Sequence, residues 1–378
     1  MEFSRRTFIG GAASSLALAG RPAQARAASL GDMAAEKGIV FGSALDYPDE
    51  HIFDTPAIAE LYQQQCRQFV TGHQFLMGPN KRFITSRFSF DRADRAVNFA
   101  RASGIPMAGH AAIFHSWVPE WLGRAVANKG ARKVIEDHVQ DVMGHYKGQM
   151  KYWVVVNEPF DWQKRRPDYL IPTPFAEGLG AEYIDVAFAA AAKADPSARL
   201  VLNEVGLEYD YPDHRRKRAL ILETIKRLKS KGIPIHAIGL QSHLRPNFPF
   251  SSARLKGFMN EVERLGLKIM ITEMDVWDNG LPTDIAQRDK RIAKELTRYL
   301  NTVLSGTACD HVMMWGLIHK WNWMNLPAQP VPKGMSQYDF RYPRKDGTPH
   351  RPSLFDDDLS PTPAWHAVAS ALEKARKR

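Results

Sequence analysis

Cysteine is scarce: Cys66 and Cys309 are the only two in 378 residues. They lie far apart and form no metal-ligand spacing, which leaves one bridge in an oxidising compartment or two buried thiols as open readings. Long apolar runs are missing as well. The one extended apolar stretch, near the N-terminus, is too short and too rich in Gly, Ala and Ser to span a bilayer, so stable membrane insertion is not expected. No glycine-rich phosphate loop follows the first strand, where the chain reads FGSALDYPDE, and a nucleotide-binding sheet loses its main support. No Gly/Ser-rich linker or break in composition divides residues 30–378. Clustered basic residues are lacking too: the formal net charge is +10, but the cations are scattered and not interleaved with aromatics. Nucleic acid is therefore not an expected partner, although such a charge favours acidic polymers by long-range attraction.

What is present is the composition of a folded protein, 44% hydrophobic and 10% aromatic, which excludes disorder of the whole chain. The N-terminus reads MEFSRRTFIGGAASSLALAGRPAQARA: charged residues, a Gly/Ala-rich apolar segment, then small residues at Ala23 and Ala25. With Arg5 and Arg6 followed by Phe8 and Ile9, residues 1–25 resemble a twin-arginine signal peptide, and an exported, periplasmic or secreted protein is expected.

Beyond it, short β-rich runs alternate with longer amphipathic segments, the pattern of parallel strands joined by crossover helices. Strands are expected near Ile39, Gln68, Ile105, Tyr152, Arg199, His236, Lys268 and His311. Between them, a helix opens at Asp91, whose side chain is expected to cap it, with Ala93, Ala96, Val97 and Ala100 on one face. Further helices are expected near 131–147, 177–194, 214–231, 251–265 and 283–304, and a closing one over 361–372. Eight such units predict a single (β/α)8 TIM barrel over residues 30–378.

In that architecture chemistry sits at the C-terminal ends of the strands. Those ends here carry His73, His110, His115, Asn157, Glu158, Asn203, Glu204, Gln241, His243, Glu273, Asp275 and Trp315. Any one of these reads as a cap or a solvated loop position, but the collection does not. The fourth strand runs Trp153-Val154-Val155-Val156 into Asn157-Glu158-Pro159, so a carboxyl group emerges from apolar surroundings that raise its pKa. The seventh runs Ile269-Met270-Ile271-Thr272 into Glu273 and presents a second carboxylate. Two opposed carboxylates are the minimum equipment for glycoside cleavage. Asn157 has a short amide suited to a sugar 2-hydroxyl, and Gln241 and His243 are placed to orient Glu273. Trp315, Trp321 and Trp323 offer flat faces for sugar rings or for core packing, Trp315 more than Trp321. His110 and His115 are five apart, but no second set completes a coordination sphere, so neither a metal nor a cofactor is expected.

The segments GHAAIFHSWVPEWL, YWVVVNEP, IGLQSHL, ITEMDVW, MMWGLIHKWNW and SLFDDDLSPTPAWHAV, in this order, resemble glycoside hydrolase family 10. The resemblance covers roughly residues 38–372. It implies retaining hydrolysis of β-1,4-linked xylan by double displacement, Glu273 as nucleophile and Glu158 as acid/base, with His110, Asn157, Gln241, His243 and Trp315 around the sugar at the cleavage point. The expected partner is a polysaccharide or oligosaccharide, and the expected state a monomer. The sequence departs from the family pattern where the second strand usually ends in Glu-Asn-x-Met-Lys-Trp; here it reads His73-Gln74-Phe75-Leu76-Met77-Gly78. Other departures are Phe114 for Trp, Trp117 for Gln, Asn203-Glu204-Val205 for Asn-Asp-Tyr, and His319 for Asp. These favour a second expectation, a retaining β-glycosidase of the same fold whose glycan, met by His73 and Gln74, is not xylan. A third, from another class, is a carbohydrate-binding protein on a retired enzyme scaffold, against which both glutamates argue.

Overall fold

A computed structural model describes residues 29–45, 51–81, 87–326, 335–336 and 343–378. The leader expected over residues 1–25 lies outside them. Eight parallel strands form the barrel: β1 Val40–Ala44, β2 Gln68–Val70, β3 Met107–Gly109, β4 Met150–Asn157, β5 Arg199–Glu204, β6 Ala237–Leu240, β7 Lys268–Val276 and β8 Cys309–Met314. Each pairs with the next, and β8 pairs with β1 through Val40 opposite His311, which closes the sheet and leaves no edge. Two short extensions, Ile113–Phe114 against β4 and His243–Leu244 against β7, lengthen the wall at the C-terminal end.

The strands are buried on both faces, as parallel strands covered by helices must be. In β4 the alternation of period two runs from Tyr152 to Val155 and breaks at Val156, where the register against β5 shifts. Tyr152 and Val154 point into the barrel with Val70, Ala108, Val201, Ala237 and Met270. Trp153, Val155 and Val156 join the larger core between strands and helices.

The expected helix pattern holds, with two corrections. The helix Asp91–Ala102 buries Ala93, Ala96, Val97 and Ala100, but Phe90 occupies its N-cap position. Asp91 is the first helical residue and accepts from Ser89 Oγ at 3.0 Å, so its contribution is charge beside the helix N-terminus, not a side-chain cap. The single helix expected over 177–194 is two, Pro174–Leu179 and Glu182–Ala194, separated at Gly180, whose φ of +56° no helix interior tolerates. Cys66 and Cys309 are both buried free thiols, which decides between the two readings left open above.

Candidate active site

Glu158 follows β4 with a φ of +49°, a left-handed conformation that costs a non-glycine residue roughly 1–3 kcal/mol. Bonds on both sides hold it there. Its N–H donates to Asn203 O at 3.0 Å, and two residues on Phe160 N donates to Glu204 Oε2 at 3.2 Å. Glu204 is wholly buried at the end of β5, where Lys217 Nζ meets its other oxygen at 2.7 Å; burial pushes its carboxyl up to about 7 against the pull of that lysine. The Glu158 side chain is 16% exposed, accepts from Gln241 Nε2 at 2.8 Å and lies 3.8 Å from His115 Nε2. Burial, reinforced by the charge of Glu273, raises its carboxyl above the usual range despite the Gln241 hydrogen bond.

Glu273, on β7, is 4% exposed and is treated in the opposite way. Burial pushes its pKa up, but two imidazoles overcome it: His110 Nε2 lies 3.3 Å from Oε1 and His243 Nε2 lies 3.4 Å from Oε2. Asn203 Nδ2 donates to Oε1 at 2.5 Å, and the outcome is a carboxyl at about 2. His243 is itself held as a cation. Burial opposes its charge, but Asp275 at 2.7 Å from Nδ1, together with Glu273, lifts its pKa well above the ordinary value. The second oxygen of Asp275 accepts from Trp323 Nε1 at 2.8 Å.

Three amides join the two carboxylates. Asn157 Oδ1 accepts from Asn203 Nδ2 at 2.9 Å and from Gln241 Nε2 at 3.2 Å. Asn203 also reaches Glu273 and Gln241 also reaches Glu158, so one hydrogen-bonded cluster fixes both acids. Asn203 is oriented by Thr272 Oγ1, which donates to its Oδ1 at 2.7 Å. The carboxamide fits because β6 carries Gly239 beside it; a Cβ there would overlap Asn203 Oδ1.

The sequence profile of glycosyl hydrolase family 10 matches residues 29–371. The chain belongs to glycosyl hydrolase family 10. As a family 10 protein it is a glycoside hydrolase. It is 34% identical over 260 residues to endo-1,4-β-xylanase A of Caldicellulosiruptor sp. (strain Rt8B.4), a match that spans 63% of this chain and 36% of that protein. It is 29% identical over 299 residues to endo-1,4-β-xylanase B of Thermotoga neapolitana, 77% of each chain. The crystal structure of native xylanase 10B from Thermotoga maritima superposes with a TM-score of 0.76 at 25% identity, covering 92% of this chain and 98% of that one.

Within this family 10 site the structure brings together His110, Asn157, Glu158, Gln241, His243, Glu273, Trp315 and Trp323. Trp315 stands edge-on to His110, with ring centroids 5.2 Å apart, and packs on the barrel interior. Trp323 serves Asp275 and lies edge-on to His243 at 5.7 Å, whereas Trp321 packs against the outer core. One expectation is corrected: the Gln241 side chain orients Glu158, not Glu273, because the C-terminal end of β6 places its amide against β4; only its backbone carbonyl meets Glu273 N, at 3.1 Å. A second is corrected too. Gln74, expected to meet the glycan, is 1% exposed, and its Oε1 accepts from Gly72 N at 2.9 Å, so it is turned into the loop. His73 stays partly exposed and packs edge-on to Trp117, with centroids 5.8 Å apart. His319 is buried and its Nδ1 accepts from Ser353 N at 3.1 Å; burial, then Arg351, lowers its pKa to about 3, so it replaces the usual aspartate with a neutral brace.

Asn203, Asp275 and Lys217 matter more than their sequence signals suggested. Asn203 stands opposite Asn157 in the β4–β5 register, and Asp275 lies two residues beyond Glu273 on the same face of β7; aligning the strands exposes both. Lys217 comes from the helix Pro212–Ser230, and nothing in its local sequence marks it.

Proposed function

We propose that this protein is a retaining endo-β-1,4-xylanase or a close relative, with Glu273 as nucleophile and Glu158 as acid/base. The observation that carries the reading is the opposite treatment of two carboxyls in one hydrogen-bonded cluster: Glu273 kept ionised, Glu158 raised toward the protonated form. In the first step Glu273 attacks the anomeric carbon while Glu158 gives its proton to the departing oxygen, and a glycosyl ester forms on Glu273. In the second, Glu158 takes a proton from water as that water attacks the same carbon, and the Glu273 carboxylate leaves. Two inversions give net retention. His243, as imidazolium held by Asp275, stabilises Glu273 as a leaving carboxylate in the second step. Proton NMR of the first-formed product on xylo-oligosaccharides tests the mechanism; a product that appears first as the α-anomer overturns it.

A second reading keeps the chemistry and changes the glycan. It is favoured by the inward turn of Gln74 and the His73–Trp117 contact, since His73 and Met77 stand where family members typically present a charged pair. Product analysis against xylans, β-glucans and aryl glycosides separates the two, and the best turnover on plain xylan sinks the second. The proposal includes export: the Arg5–Arg6 pattern and the apolar stretch behind it support a leader over residues 1–25. Cell fractionation of the Arg5→Lys/Arg6→Lys variant tests it, and an unchanged distribution counts against a twin-arginine route.

A further inference from the structure

We propose that Gln74 is a positioning residue for Glu273, acting through the Gly72 backbone and the His110 ring. The connection is continuous. Gln74 Oε1 accepts from Gly72 N at 2.9 Å, closing the turn after β2 with a local side-chain-to-backbone bond. Gly72 O then meets His110 Nδ1 at 3.1 Å, and His110 Nε2 lies 3.3 Å from Glu273 Oε1.

The chemistry of the middle link gives the chain its direction. A carbonyl oxygen only accepts, so His110 Nδ1 must carry a proton. Nε2 then presents the Glu273 carboxylate either with a lone pair, which repels it, or with a second proton, which attracts it. Both partners of the ring favour the doubly protonated form, and the Gly72 carbonyl is the partner whose position Gln74 controls. The backbone of His110 is fixed separately: its N–H donates to Thr71 Oγ1 at 2.9 Å, and Thr71 Oγ1 donates to His110 O at 3.2 Å. Thr71 therefore places the residue, and Gly72, steadied by Gln74, turns its ring.

The position explains the exchange in this segment. Family members typically present an asparagine toward the sugar where this chain has Gln74; the longer side chain folds back on its own turn and is almost wholly buried. The loop beyond is braced by Asn80, whose Nδ2 donates to Gln74 O at 2.9 Å and to Leu76 O at 2.8 Å, backbone bonds separate from the Gln74 side chain. Gln74 has thus left the glycan for the nucleophile's electrostatics.

The charged and titratable groups facing Glu273 are His110 after β3, Glu158 and Tyr152 from β4, and His243 after β6; on its own strand Asp275 is engaged with His243. His110 is linked to Gln74 through the Gly72 carbonyl, so a change at residue 74 reads through that ring.

The test is carbon-13 NMR titration of the Glu273 carboxyl in the unliganded protein. Gln74→Met keeps the bulk and removes the acceptor. It is expected to raise the Glu273 midpoint by about one pH unit, the size of effect a neighbouring charge commonly has. Asn80→Ala, which loosens the same loop without touching Gly72 or His110, is expected to leave the midpoint in place. Equal midpoints in Gln74→Met and the unaltered protein overturn the proposal, as does an equal shift in Asn80→Ala, which would mean that loop integrity alone matters. Should Gln74→Met not fold, nitrogen-15 NMR of the unaltered protein decides: a bare His110 Nδ1 refutes the chain of contacts, and a protonated one supports it. The kinetic counterpart rests on the proposed role of Glu273 and is a matching shift of the acidic limb of kcat/KM. Inactivity toward every glycan would defeat that role while the titration still decides the contribution of Gln74.

Discussion

Glu158 and Glu273 are the same residue type on the same end of one barrel, and their surroundings drive them apart. Around Glu273 the protein spends its imidazoles: His110 on one oxygen and His243 on the other overcome burial and hold the carboxyl at about 2. Glu158 receives one neutral amide, from Gln241, and a histidine, His115, whose own pKa burial and the nearby Lys217 lower to about 4. A neutral imidazole does little to hold a carboxylate ionised, so burial prevails and Glu158 is raised. The difference teaches that the sign of a buried carboxyl's shift follows from the charge state of its neighbours, and that the neighbours' state is set by their own surroundings, by the Asp275 contact for His243 and by burial, then the Lys217 charge, for His115.

The comparison breaks most severely if one of the carboxylates is removed. Glu273→Ala is expected to lower kcat on the order of 10⁴-fold or more, as deletion of a nucleophile does elsewhere, in steady-state assays on the best substrate. Activity within tenfold of the unaltered protein would sink the nucleophile assignment. Glu158→Gln should cost about 10²–10⁴-fold on glycans, whose leaving oxygen needs a proton, but far less for formation of the glycosyl ester from a dinitrophenyl glycoside, whose leaving group does not. An equal loss on both substrates would count against the acid role.

Lys217→Met strips the partner from a wholly buried Glu204, and removal of one member of a buried pair typically costs about 3–5 kcal/mol. Urea unfolding measures it, and a loss under about 1 kcal/mol would show that the pair does not clamp the backbone behind Glu158. The smallest expected effect sharpens the comparison without destroying it. Activity should require Glu273 ionised and Glu158 protonated, so kcat/KM falls as pH drops toward about 2 and falls again as pH rises through the raised midpoint of Glu158. Asp275→Asn removes the charge that keeps His243 protonated, so Glu273 binds its proton more readily and the acidic limb should move upward by about one unit. The upper limb, which belongs to Glu158, should stay nearly fixed. Movement of both limbs together would mean that the two acids do not titrate separately.

Much of this was legible along the chain because it is local. The run Trp153–Val156 ending in Asn157-Glu158 announces a buried strand that delivers a carboxyl at its tip, and Ile269–Thr272 ending in Glu273 does the same. Short apolar β-rich runs and strand ends are properties of consecutive residues, so eight strands and the two acids could be placed before any fold was known. The helix face Ala93, Ala96, Val97 and Ala100 follows from a period of 3.6 for the same reason. Gln241 and Gln74 were misjudged because a flexible side chain chooses among partners that only the assembled barrel supplies. Gln241 reaches across to β4, not to Glu273 beside it, and Gln74 turns back on Gly72.

The sequence by itself therefore determined the architecture, the pair of glutamates and the family to which they belong, since each is written in short motifs whose order survives large changes elsewhere. Tertiary structure alone decided what those glutamates are. The carboxyls of residues 158 and 273 are pushed in opposite directions because burial prevails at Glu158 while Asn203, His110 and His243, the last held by Asp275, converge on Glu273 from different strands, and electrostatic interaction depends on distance in space, not along the chain.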